Sequence, residues 1–171
     1  AANEAFGASL PLDDPQDFED ANRGLVARDP NLVVELAAGN VWDMSAYDFI
    51  DGDAPPSVNP SLWRQAKLNN IHGLFKVTDG VYQLRGWDLS NMTLIDGKSG
   101  WIVVDPLTAG EAARAALAFA REHLGPKKVS AVIVTHSHVD HFGGILGLFD
   151  DPAEAAAVRV IAPGGFMHEA T

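Results

Sequence analysis

The chain contains no cysteine. Disulfides, thiolate metal sites and thiol nucleophiles are thereby excluded, so any metal has to be held by histidine and carboxylate. Positive charge is scarce as well: 12 Lys and Arg against 23 Asp and Glu leave a formal net charge of −11. The basic footprint of a nucleic-acid binder is missing, and an anionic membrane surface would repel the chain. An anionic substrate gains nothing from long-range steering here and must be captured by local positive charge. No apolar run approaches the roughly 20 residues of a membrane-spanning helix. The longest, VSAVIV at 129–134, has the length of a strand. A basic, apolar leader is lacking too, and the small-residue start AANEAFG is what signal-peptide cleavage leaves. A trimmed chain would start the same way, so a periplasmic or secreted location is the expectation and a cytoplasmic one the alternative.

With 171 residues the chain is long enough for one domain with a core. Residues 1–72 read as an arm. DDPQDFEDANRGLVA predicts a helix with an Asp cap and Pro15 in its first turn. LVVEL predicts a short strand, VWDMSAYDFI is ambiguous, GDAPPSVNP is a loop, and Asn59-Pro60 opens a second helix. Trp42, Tyr47 and Trp63 are expected to anchor the arm by burial, with lining of an apolar tunnel as the alternative.

From Leu74 the apolar period changes to two. LFKVT and VYQLRG flank a DG turn, and NMTLID and WIVVD flank GKSG, which predicts two hairpins. TAGEAARAALAFAREHLG predicts a helix capped by Thr108 and stopped by Gly125. VSAVIV and VRVIAP read as buried strands, separated by a short helix at Gly143–Leu148. GGFMHEAT reads as the first turn of a helix, an unusual place for a domain to end. Hairpins feeding strand–helix–strand units imply an α/β layered domain with a mixed sheet.

The chemistry concentrates in THSHVDHFGG, 135–144. Three of the six histidines fall in one hexapeptide at the end of a buried strand, a place where α/β sheets build sites. His136 and His138 are two apart, so in extended backbone they project to one side and can share an ion. Asp140 and His141 are adjacent and diverge, which suits a second ion, or one ligates while the other orients. Gly143 and Gly144 allow close approach of the following segment. Imidazole and carboxylate without sulfur suit zinc, iron or manganese.

HSHVDH resembles the H-x-H-x-D-H signature of the metallo-β-lactamase superfamily. Within it, VYQLRGWDLSNMTLIDGKSGWIVVDPL, preceded by WRQAKLNNIHGLFKVTDG, is similar to the alkyl sulfatases, the enzymes that hydrolyse dodecyl sulfate and related esters. RG-x-D-x-x-N is the most distinctive piece. The resemblance implies a metallo-β-lactamase-like αββα sandwich, of which this chain is the N-terminal half with an extra N-terminal arm. It divides the chain into an arm, 1–72, and the first part of a catalytic domain, 73–171, incomplete at its C-terminus.

The resemblance also implies a binuclear zinc site, with His136 and His138 on one ion and Asp140 and His141 on the other. The two ions would lower the pKa of a bound water, and Asp140 would act catalytically by tying the second ion and holding the hydroxide in line. Such a site wants about four ligands per ion. Further ligands are thus expected from the remainder of the same polypeptide or a second chain, and the full protein is expected to be a homodimer. The implied substrate is an alkyl sulfate. Other readings are a lactonase or thioesterase of the same superfamily, or a non-catalytic metal-binding fragment.

Arg85, Asp88 and Asn91 fall between the hairpins, where they would shape the pocket rim; an Arg85–Asp88 pair holding a tight turn is the plainer expectation. Asp105 either orients a ligating imidazole or caps the turn before Pro106. His168 and Glu169 are expected at a helix start, and His72 and His123 are expected to be structural.

Overall fold

A seven-stranded mixed sheet organises the chain, in the order β1-β4-β5-β6-β7-β8-β9. The structure is a computed structural model that describes residues 2–36 and 38–171. The arm contributes α1 (Ala2–Gly7), α2 (Gln16–Asn22), β1 (Leu25–Ala27), the hairpin β2 (Val33–Leu36) and β3 (Gly39–Asp43), and α3 (Pro60–Asn69). Then follow β4 (Gly73–Thr78), β5 (Val81–Arg85), β6 (Met92–Gly97), β7 (Gly100–Val104), α4 (Gly110–Leu124) and β8 (Val129–Ile133). The last elements are α5 (Pro152–Ala157), β9 (Arg159–Ile161) and α6 (Phe166–Glu169).

Both expected hairpins form. β4 and β5 pair antiparallel around Asp79-Gly80, and β6 and β7 pair down to Gly97 and Gly100. Gly80 has φ 73°, a left-handed conformation that a two-residue hairpin turn demands. After α4 the direction changes, and β7, β8 and β9 run parallel. The buried stripe of α4, Ala112, Ala113, Ala116, Leu117 and Ala120, joins Leu84, Met92, Leu94, Trp101, Val103 and Val132 in one core. Small alanines let the helix lie close to its neighbours, while Trp101 and the leucines fill the volume.

Several expectations are corrected. The helix of 13–27 stops at Asn22 because Gly24 turns the chain with φ 75°, and 25–27 becomes the edge strand β1 beside β4. The ambiguous VWDMSAYDFI divides into the end of β3 and a 3₁₀ turn at Met44–Tyr47, opened by the Asp43 carboxylate accepting from Ser45. The segment after the histidines is a 3₁₀ turn at Ile145–Leu148 rather than a helix from Gly143. In β8 only Val129 and Val132 are buried, followed by buried Val134, with Ser130, Ala131 and Ile133 half-covered. β9 is not buried at all, since it pairs with β8 on one edge and no described element covers its faces.

Helix α4 is capped from a distance. Ala109, not Thr108, occupies the cap position, and its methyl group can accept no hydrogen bond. The Asp88 carboxylate instead accepts from the N–H groups of Thr108 (3.0 Å) and Ala109 (3.2 Å), and from the Thr108 hydroxyl (2.8 Å). Of these, the Ala109 N–H is a donor that a helix start otherwise leaves unpaired. No helix among the described residues is long and apolar enough to cross a membrane.

Candidate metal centre

β8 delivers the chain to the sheet edge at Val134, and Thr135–Gly144 turns back beside the 105–109 turn that follows β7. Two close backbone contacts set that path. Gly144 N–H donates to Leu107 C=O at 2.9 Å. A Cβ on Gly144 would lie 2.1 Å from the Pro106 oxygen, and one on Gly143 would lie 2.3 Å from the Thr108 oxygen. The glycine pair is therefore needed for contact between backbones. Asp105 and Leu107, with φ of 55° and 64°, hold the opposing turn in the left-handed region, a strained state that persists where surrounding bonds over-determine it.

Asp105 is the hub of this arrangement. It is 8% exposed, and its carboxylate accepts from the Thr135 N–H (2.8 Å), the Thr135 hydroxyl (2.7 Å) and His141 Nδ1 (2.8 Å). Asp105 thus holds the His141 imidazole through Nδ1. The Thr135 hydroxyl has a single proton, which it gives to Asp105, so it can only accept from His136 Nδ1 at 3.0 Å. Both His136 and His141 then carry their proton on Nδ1, assigned from this network, which leaves each Nε2 lone pair free to ligate.

The rings are gathered. His136 lies 4.6 Å from His138 and 4.1 Å from His141, centroid to centroid. His141 Nε2 stands 3.3 Å from Asp140 Oδ2, so these two converge rather than diverge as their adjacency suggested, because 139–141 is a 3₁₀ turn and not extended chain. Among the described residues, no three His, Asp or Glu donors are spaced to close on an ion as they stand. The donor set still fits divalent zinc: nitrogen and oxygen donors on one loop, no competing sulfur, and two imidazoles held in the ligating tautomer.

The other candidates lie apart. Arg85 does not pair with Asp88. Its guanidinium sits 4.3 Å over the Phe75 ring, donates to Gln83 Oε1 at 2.7 Å and reaches the Ala21 carbonyl. Burial pulls its pKa below the ordinary value. Asp88 is occupied by α4. Asn91 is exposed and, with Arg85, Asp88, Leu89, Trp42 and Tyr47, lines a cavity of about 420 Å³ between the arm and the 86–91 loop. Trp42 closes part of it by donating from Nε1 to Gly86 C=O at 2.8 Å. His168 is exposed on α6 and borders an apolar groove with Phe142 and Phe166. His72 bonds the Asp29 and Asn70 carbonyls, and His123 bonds Phe119 C=O, both structural as expected.

Ser90 was not singled out in the sequence. It is buried, and its hydroxyl donates to the Asp140 carbonyl. A serine inside W-D-L-S-N carries no spacing signal that separates it from a turn residue.

The comparisons with known proteins agree with the motifs. Residues 85–161 match the metallo-beta-lactamase superfamily. A linear primary-alkylsulfatase of Pseudomonas sp. is 49% identical over 99% of this chain and 26% of its own length. An alkyl/aryl-sulfatase of Saccharomyces cerevisiae is 45% identical over 97% of the chain. The solved structure of the stereoselective inverting sec-alkylsulfatase Pisa1 from Pseudomonas sp. superposes with a TM-score of 0.90 at 48% identity, covering 98% of this chain and 27% of that one. The chain thus spans about a quarter of the length of the relatives it matches, as an N-terminal portion, and its mixed sheet with helices is their fold over that span.

Proposed function

We propose that this chain, which matches the N-terminal portion of alkylsulfatases over nearly its whole length, supplies the first half of a zinc site that hydrolyses alkyl sulfate esters to alcohol and sulfate. The observation that carries the reading is the convergence of His136, His138 and His141, two of which, His136 and His141, Asp105 supports. His136 and His138 would hold one ion, and Asp140 and His141 a second. Divalent ions bound there supply Lewis acidity and bring the pKa of a water toward neutrality.

The chain's own residues do the positioning. Asp105 keeps the His141 imidazole protonated at Nδ1, and through Thr135 it does the same for His136. Asp140, beside His141, would orient a bound water by accepting a hydrogen bond from it. Arg85 is committed to Phe75 and Gln83, so it is not free to meet the sulfate. The remaining metal ligands, and the contacts of a homodimer, would come from the rest of a longer polypeptide. The Trp42, Tyr47 and Leu89 side of the 420 Å³ cavity offers apolar surface to an alkyl chain, with burial contributing about 0.8 kcal/mol per CH₂.

The test is sulfate release from dodecyl sulfate by the full natural polypeptide, before and after chelation and after return of Zn²⁺. Turnover that chelation abolishes and zinc restores supports the reading. Hydrolysis of lactones or thioesters with dodecyl sulfate left intact overturns it in favour of another activity of the superfamily.

A further inference from the structure

Burying a polar side chain is costly unless it is bonded, so buried polar groups mark places where position matters. Among the described residues, three polar side chains are buried: Asp88, Ser90 and Asp105. All three serve one construction. Asp88 ties the 86–91 loop to the 108–109 helix start, Asp105 ties the 105–109 turn to the histidine loop, and Ser90 ties the 86–91 loop directly to Asp140. The three loops therefore form a closed ring of side-chain bonds. The 86–91 loop is the ring's rigid side: Trp87 is buried against Phe119 of α4, ring centroids 5.0 Å apart, and Asp88 also accepts from Leu89 N–H at 2.6 Å.

We propose that Ser90 is a positioning residue for metal binding, with Asp88 as its anchor: the hydroxyl fixes the Asp140 peptide and so sets where the Asp140 carboxylate and the His141 ring present their ligand atoms. The inference rests on the reading that 136–141 holds metal, and it adds a residue outside the H-x-H-x-D-H motif to the apparatus. The physical case is one of freedom. Asp140 lies in a single 3₁₀ turn with exposed His138 and Val139 before it, and its carboxylate has no hydrogen-bond donor among the described residues, standing 3.3 Å from the unprotonated Nε2 of His141. Without the Ser90 bond the Asp140 carbonyl loses its one side-chain restraint, and the ion pays the ordering cost on binding.

Ser90→Ala and Ser90→Thr in the full natural polypeptide test this, with Zn²⁺ as the probe and affinity read by competition against a chromophoric chelator. Ser90→Ala is expected to bind at least one ion about tenfold more weakly, the lower end of what loss of a ligand-orienting partner costs. Ser90→Thr, which keeps the hydroxyl, is expected to stay within about twofold of the parent, and the metal-free Ser90→Ala protein to melt within about 5 °C of it. Zinc affinity of Ser90→Ala within fivefold of the parent overturns the proposal, as does equal weakening in both variants. So does a larger fall in metal-free melting temperature, which would make Ser90 a fold residue. Because the readout is zinc and not turnover, a parent protein that binds zinc but leaves dodecyl sulfate intact removes the activity reading alone, whereas a parent that binds no zinc ends both.

Discussion

Asp105 and His141, 36 residues apart in the chain, meet in a hydrogen bond of 2.8 Å that fixes which imidazole nitrogen carries the proton. The same carboxylate reaches His136 through the Thr135 hydroxyl. One buried acid therefore prepares two of the three histidines.

Asp105→Asn separates this electronic role from backbone strain. Asparagine tolerates the left-handed φ of 55° about as well as aspartate, so the turn is expected to survive. The amide cannot accept all three donors that the carboxylate serves. Zinc affinity, measured by chelator competition, is expected to fall by roughly 10- to 100-fold while the far-ultraviolet circular dichroism stays unchanged.

Thr135→Val removes the relay to His136 at nearly constant volume. The Thr135 N–H bond to Asp105 remains, so the loop keeps its path. A fall of roughly tenfold in zinc affinity is expected, with Thr135→Ser restoring it. Parent-like affinity in Thr135→Val would mean that the hydroxyl does not select the His136 tautomer.

Gly144→Ala tests the backbone contact. Its Cβ would meet the Pro106 oxygen at 2.1 Å and the Ala109 oxygen at 2.8 Å, and neither is a flexible side chain. Separating the loop from the turn is expected to cost about 3 kcal/mol in denaturant unfolding, the upper part of the overpacking range. An unchanged midpoint would show that the two backbones can part freely.

Acid stability has a contributor in the arm. The Ser45 hydroxyl donates to Asp43 at 2.6 Å, and it holds that carboxyl below its ordinary 3.8. A carboxyl depressed in the folded state stabilises above its unfolded pKa and loses that contribution as pH falls through the folded one. Melting temperatures of Ser45→Ala and the parent are therefore expected to differ above about pH 4 and to converge below it. Parallel curves down to pH 2 would assign the effect elsewhere.

Much of this was legible beforehand. The two hairpins followed from period-two patterning around DG and GKSG, and α4 from its alanine stripe, because both signals are local. The histidine loop was legible because a strand end and six residues suffice to describe it. What escaped was long-range. Nothing near Thr108 indicates that Asp88 will cap α4, and the expected Arg85–Asp88 pair lost to an aromatic ring on β4 and a helix start 20 residues downstream. Ser90 escaped for the same reason, its partner lying 50 residues away. The misread burial of β9 has another cause: VRVIAP has the composition of a covered strand, but coverage depends on what packs against it.

The ring of bonds among 88–90, 105–109 and 135–141 also fixes when in folding the site comes into being. Its links span 20, 30, 36 and 50 residues, across the parallel pairing of β7 with β8. Contacts of such separation form late, after the costly closure of long loops. The histidines are therefore expected to come together only once β8 has docked beside β7. If the loop takes up zinc as proposed, the rate of uptake in refolding is expected to follow the docking of β8 rather than the encounter with the ion.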